Sequence, residues 1–232
     1  MSLYLAVSVC AVLAAILVYR YDLYNREPWY LIALAGGLGI AVMRAVAGAE
    51  HWALGFVEAN PAEAAVASLL EEAARLAAVV ALALAFPKDF DDPMDGIIYG
   101  SIVGLGMAVE ESFHFLRARS EVDPVLLPVE LVRLCGHLVM GGIAAFGVRV
   151  GFRVLLLSFA IALVLHFSRD WVALAAADRN GMSVGLTLVA AAIMLAGIGI
   201  YGALVVVGSG LSRAAFAPAS VRSLWGFPFK NR

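Results

Sequence analysis

The sequence predicts an all-α polytopic membrane protein, a bundle of about seven transmembrane helices. Three observations carry that prediction. Of 232 residues, 63% are hydrophobic and 15% charged, against roughly half and about a quarter in an average soluble domain. The apolar residues fall in blocks of about 20, enough for a helix to cross a hydrocarbon core of about 30 Å. Short alternating segments of the barrel kind are not evident, so helices are left to satisfy the spanning backbone's hydrogen bonds.

The first block, 3–19, lacks a basic leading segment. It ends in Tyr19-Arg20-Tyr21-Asp22 rather than at small residues, so it reads as a retained span and not a signal peptide. Further spans follow at about 29–49, 62–86, 95–116, 125–148, 154–175 and 183–207. Short polar stretches separate them, several containing proline, as at Pro28, Pro61, Pro87 and Pro124. No linker is long enough to separate domains. One transmembrane domain over 1–207 and a short cytoplasmic tail over 208–232 are expected. The fourth span carries Gly96, Gly100, Gly104 and Gly106, a spacing that lets helix backbones approach closely. Without a preceding strand, it does not read as a phosphate loop.

Lysine and arginine counts orient the chain. One side holds Arg20, Arg26, Lys88, Arg149, Arg153, Arg213, Arg222, Lys230 and Arg232; the other holds Arg117, Arg119 and Arg179. Nine against three puts the N-terminus outside and the C-terminus in the cytoplasm. Trp29 and Trp171 read as interface anchors. A net charge of −2 and no basic cluster exclude a nucleic-acid partner. Cys10 and Cys135 sit in apolar runs and form no disulfide or zinc-knuckle pattern.

The chemistry lies in ionisable residues inside the spans. The second holds Arg44; the third Glu71, Glu72 and Arg75; the fourth Glu110, Glu111 and His114. The fifth holds Glu130, Arg133 and His137, and the sixth His166, Arg169 and Asp170. A charge at mid-bilayer costs about 2.5–3.5 kcal/mol on the most lenient scale, so such residues mark pairing or a hydrated functional cavity. Glu71 and Arg75 share a helix face, as do Arg133 and His137, and His166 and Asp170. Glu72 points about 100° away from Glu71, toward a second neighbour. At a rise of about 1.5 Å per residue, Glu71 lies about 14 Å below the outer surface, Glu111 about 8 Å, His137 about 18 Å and His166 about 14 Å. Four residues from four spans thus fall in the outer half of the bilayer or near its middle.

Two versions of one chemistry suit such a cavity, and both hydrolyse a peptide bond with water. In the first, Glu71 or Glu72 activates water as general base, Glu111 and His137 help to hold it, and His166, oriented by Asp170, stabilises the oxyanion. In the second, Glu71, Glu111, His137 and His166 hold a metal, zinc by ligand type, with a position left for water. The sequence leaves zinc or no cofactor open. No serine-elbow or HExxH motif is present. Ser112 and Cys135 are nucleophiles by type but read as small packing residues. Glu110, His114 and Glu130 read as neighbours or outer rim, Arg44 as a bundle ion pair, and Arg169 as a side chain snorkelling outward.

Several stretches together resemble one family. The run Glu71-Glu72-Ala73-Ala74-Arg75 is similar to the EExxK motif of the PrsW family of intramembrane proteases, with arginine for lysine. The run from Phe90 through Asp91-Asp92-Pro93-Met94-Asp95 to Gly100 resembles that family's loop entering the next span. Gly104 to Ser112 resembles its GxGFAxxEN, with Glu111 on the glutamate and Ser112 in place of asparagine. His137 matches an isolated histidine, and His166 to Asp170 an HxxxD-like element. Tyr21 to Pro28 resembles the first cytoplasmic loop. The likeness covers Tyr19 to Trp171, with its pieces in order. It implies a relation to the CAAX-processing endoprotease (Abi) superfamily. It also implies a bacterial inner-membrane enzyme that cuts a membrane-anchored protein, such as an anti-sigma factor, near the outer face. Arg75 and Ser112 are then supporting residues. Carboxylate and histidine chains also suit a proton-coupled transporter or channel, although no inverted repeat or broken helix is evident. A non-catalytic membrane scaffold is the other alternative.

Overall fold

The computed structural model describes residues 3–20, 25–57, 60–118, 126–179 and 181–216. Among them are seven long helices and one single-turn helix, with no strand. They are α1 (Leu3–Tyr19), α2 (Trp29–Leu54), α3 (Asn60–Ala85), α4 (Asp95–Arg117), α5 (Leu127–Ala145), α6 (Gly147–Val150), α7 (Phe152–Asp178) and α8 (Val184–Phe216). The expected all-α bundle is what forms. Portions of some sequence expectations lie outside the described residues: Tyr21 to Tyr24 of the first loop, Arg119, and the tail from 217 onward with Arg222, Lys230 and Arg232.

Helix ends move where charge was read as a stop. α2 continues through Glu50 and His51 to Leu54, because a polar residue near a helix end does not break it. α8 runs on past 207, through Gly208, Ser209 and Gly210, to Phe216. The fifth span halts at Ala145 and continues for one turn as α6. Gly151, at φ 145°, then forms the whole connection to α7. That φ favours glycine, and it reverses the chain within one residue.

α2, α5 with α6, α7 and α8 are long and apolar enough to cross a membrane by length and composition. α3 and α4 fall short for different reasons. The first carries Glu71, Glu72 and Arg75 in its middle, and the second is rich in glycine and holds Glu110 and Glu111. Glu71, Glu72, Arg75 and Glu110 are buried inside the bundle, and Glu111 is half-buried. Exposed apolar side chains lie on the outer faces of α1, α2, α7 and α8, among them Leu13, Trp29, Leu157, Val164, Leu195 and Val206.

α4 is the buried axis, and its glycines set the registers of its neighbours. A Cβ on Gly96, Gly100 or Gly104 would stand 2.3, 2.2 and 2.1 Å from the carbonyl oxygens of Ala145, Gly141 and His137 on α5. On another face, a Cβ on Gly106 would stand 2.1 Å from Gly36 O, and one on Gly39 of α2 would stand 2.1 Å from Val103 O. Any side chain there forces the helices apart, so the glycines fix how closely α4 meets α5 and α2. The Gly104 contact falls on the backbone of His137 itself. Packing of the bundle therefore places that imidazole.

At the opposite end of α4, a polar layer ties the loops down. Tyr99 donates to Glu27, Asn25 Nδ2 to Asp91 Oδ1 (2.7 Å), and Ser212 to Asp92. The Met94 and Asp92 amides donate to the carboxylates of Asp92 and Asp95 at 2.8 and 2.6 Å.

Candidate active site

α3, α5 and α7 each place one ligand-type side chain at a common point. Ligand-type atoms of Glu71, His137 and His166 all lie within 4.8 Å of one another, and all three residues are buried. Glu71 Oε2 is 3.8 Å from His137 Nε2 and 3.6 Å from His166 Nε2. Glu111 on α4 reaches the same point, with Oε2 2.8 Å from His137 Nε2. The convergence expected of these four residues from their depths is therefore present.

Donor and acceptor roles follow from which groups can only donate. Arg75 Nη2 donates to His137 Nδ1 at 2.8 Å. A guanidinium accepts nothing, so Nδ1 carries the lone pair and the ring proton sits on Nε2. His166 is arranged in the opposite sense. Its Nδ1 donates to Glu72 Oε1 at 2.7 Å, which leaves the Nε2 lone pair facing Glu71. Glu72, fully buried, also takes a hydrogen bond from Arg75 at Oε1.

The pairings differ in some respects from those the spacing suggests. The partner at the orienting nitrogen of His166 is Glu72, while Asp170 Oδ2 lies 3.3 Å from Nε2. Asp170 grips Arg169 instead, through Nε at 3.0 Å and Nη2 at 2.9 Å. Arg133 pairs with Glu111 Oε1 (3.3 Å) and Glu130 (2.6 Å) rather than with His137. Glu130 is therefore buried and not on the rim. Arg44 forms its expected ion pair, with Glu110 at 3.3 Å, and Glu110 also takes Arg117 at 3.0 Å. Ser112 is buried with its Oγ unpartnered and makes no polar contact with the cluster.

Sequence reasoning missed the role of Arg169. Its side chain turns inward, and Nη2 donates to His166 Nε2 at 2.9 Å. Nη1 lies where a Cβ on Gly136 would come within 3.1 Å, so the missing side chain at 136 leaves room for it. The visible signal was a cation one residue before Asp170, on the His166 helix, beside a glycine preceding His137.

The donor set fits a metal in kind and spacing. Glu71 Oε2 is buried without a hydrogen-bond partner, the condition of an atom awaiting a ligand. Tetrahedral zinc bonds of about 2.0–2.1 Å separate neighbouring ligands by about 3.4 Å, close to the 3.6 and 3.8 Å found here. The His166 Nδ1–H bond to Glu72 is the carboxylate–histidine support that metal-ligating imidazoles use. His137 fits after one exchange: Arg75 must leave Nδ1 so that Nε2 can give up its proton and coordinate. Nη2 already lies 4.0 Å from Glu71 Oε2.

A groove of about 240 Å³ connects this point to the surface between α3 and α7. Glu71, Glu111, Arg169 and Asp170 line its inner end, with Glu63, Ala64, Ala67 and Ala173 further out.

Comparison with known proteins agrees with this geometry. Residues 26–198 match the model of the PrsW family intramembrane metalloproteases. That stretch contains all the residues of the cluster. The chain is 33% identical over 187 residues to "Protease PrsW" of Geobacillus kaustophilus (strain HTA426), covering 76% of this chain and 82% of the relative. No solved structure matches. A bundle of apolar helices enclosing carboxylates and imidazoles, together with matches spanning most of its length, means that this chain belongs to the PrsW family of intramembrane metalloproteases.

Proposed function

We propose that this protein hydrolyses a peptide bond of a membrane-anchored protein, such as an anti-sigma factor, near the outer face of a bacterial inner membrane. In this reading the α2–α3 end of the bundle faces outward and the C-terminus faces the cytoplasm. The observation that carries the proposal is the meeting of Glu71, His137 and His166 within 4.8 Å at the foot of a groove.

Glu71, His137 and His166 are the residues that would hold zinc, which supplies Lewis acidity and a water nucleophile at neutral pH. Glu111 acts as general base. Its Oε1 is held by Arg133, its Oε2 stands 2.8 Å from His137 Nε2, and the residue lines the groove. It takes a proton from the attacking water and passes it to the leaving amine. Glu72 orients His166 and has no place on the groove wall. Arg169 presents a guanidinium toward the forming oxyanion.

One observation favours a second, metal-free reading. Guanidinium N–H groups of Arg75 and Arg169 meet a lone pair of each imidazole, and both cations also pair with carboxylates of the cluster, Glu72 and Asp170. Glu71 is then the base and Arg169 the oxyanion donor.

The test is cleavage of a membrane-anchored reporter by purified protein in vesicles. Alanine at Glu71, His137 or His166 is expected to abolish cleavage while the protein still inserts. Retained cleavage in all three variants defeats the site. Loss of cleavage in a chelator, restored by zinc, selects the first reading; insensitivity selects the second.

A further inference from the structure

The groove carries carboxyl groups that its own side chains do not pair. Asp170 is matched by Arg169, and Glu111 by Arg133. Glu63, half-buried in the first turn of α3, lines the groove and has no hydrogen bond or ion pair among the described residues. Glu50, near the end of α2, turns a buried and unpartnered Oε1 toward the same region. It lies close enough to Glu111 and Asp170 to feel both charges. Glu71, more than nine-tenths buried, adds an unpartnered oxygen at the groove's foot.

A half-buried carboxylate without a partner is costly, and proteins keep such groups where a counter-charge arrives from outside. The foot of the groove already has its own cations in Arg75 and Arg169. Glu63 and Glu50 do not reach them.

Geometry limits what can bring that charge. Glu63 and Glu71 are eight residues apart on one helix, about 12 Å. An extended peptide covers that distance in about four residues. Between them the wall is Ala64, Ala67 and Ala173, small enough for a backbone to lie against. A second cavity, of about 550 Å³, lies on the same two helices beside Asn60, Trp171, Asp178 and Arg179.

We infer that the α3–α7 groove binds the substrate as an extended segment and selects a lysine or arginine about four residues from the scissile bond, held by Glu63 and Glu50. This deepens the proposed protease function and rests on it. Neither glutamate touches the reacting atoms; both set specificity.

The test uses reporter peptides made of one transmembrane helix followed by an extended alanine–serine segment. A single Lys, Gln or Glu is scanned along that segment, and a photoreactive group sits beside it. Cross-linking to the full-length protein in vesicles reads binding, and mass spectrometry reads cleavage. Lys at one register is expected to cross-link at about tenfold lower peptide concentration than Gln, the effect of one partly desolvated charge pair. Glu is expected to be worst. E63Q should remove the preference for Lys over Gln, and E63K should turn the preference toward Glu. Equal cross-linking of all three peptides overturns the inference, as does a Lys preference that survives both Glu63 variants and E50Q. If Lys-dependent cross-linking appears without cleavage, the groove assignment stands and the hydrolase reading falls. If the peptides are cleaved without charge preference, the reverse holds.

Discussion

His166 donates its Nδ1 proton to Glu72 at 2.7 Å, and that bond turns the opposite ring nitrogen toward Glu71, 3.6 Å away. Glu72 thereby acts one step removed from the reacting centre. Replacing it with alanine frees the ring and leaves a buried Arg75 short of its partner. Metal affinity is expected to fall about 10–100-fold, with cleavage falling alongside. Competition against a chromophoric zinc chelator measures this. Unchanged affinity in E72A refutes the orienting role.

Arg169 makes a prediction of unusual sign. Its Nη2 sits on the lone pair of His166 that a metal needs, and its charge repels a cation. R169Q is expected to bind zinc more tightly than the wild type, by about tenfold for one removed charge at partly buried range. It is also expected to lose turnover, because the oxyanion donor is gone. A merely structural arginine would lower both. Zinc titration and cleavage rates on one preparation separate these outcomes.

Gly104 tests whether packing sets the site. G104A places a methyl 2.1 Å from the His137 carbonyl oxygen, so α4 and α5 must separate. A cost of about 1–3 kcal/mol is expected, seen as an earlier thermal unfolding in detergent, with cleavage reduced beyond what the unfolded fraction explains. G48A, where a Cβ meets nothing within 4 Å, is expected to leave both unchanged. Equal effects of the two substitutions contradict the account.

Metal removal gives the fourth prediction. Exhaustive dialysis against a chelator is expected to abolish cleavage while the helical content of the vesicle-bound protein stays near its starting value. The bundle's packing runs through Gly96, Gly100 and Gly104 on α4, not through the cluster. Far-ultraviolet circular dichroism before and after dialysis checks it; collapse of the helical signal would mean the metal is structural.

The bundle and its central residues were legible because bilayer physics is strict. Glu71, Glu111, His137 and His166 stood out as ionisable groups within apolar runs, and helical rise alone put them in the outer half of the bilayer or near its middle. What failed was the assignment of partners. Residues four apart on one helix, such as Arg133 and His137, share a face. In this tightly packed bundle, however, carboxylates and a cation stood closer: Glu130 of the same helix and Glu111 of α4 took Arg133, and Arg75 of α3 took His137. Arg169 was misread because snorkelling is the habit of an arginine beside lipid, whereas the space left by Gly136 drew it inward. The end of α2 was missed because Glu50 closed the apolar run without ending the helix, and that of α8 because Gly208, Ser209 and Gly210 stayed helical. The glycines of α4 were read correctly as close-packing positions. Which carbonyl each one meets depends on a crossing geometry that no local pattern encodes.

The most direct measurement is zinc-edge X-ray absorption on the purified, zinc-loaded protein in vesicles. The account predicts a single site per chain with two imidazole nitrogens and carboxylate or water oxygens at about 2.0–2.1 Å, losing one imidazole in H166A. A zinc shell of oxygens alone, or one unaltered by H166A, would contradict it.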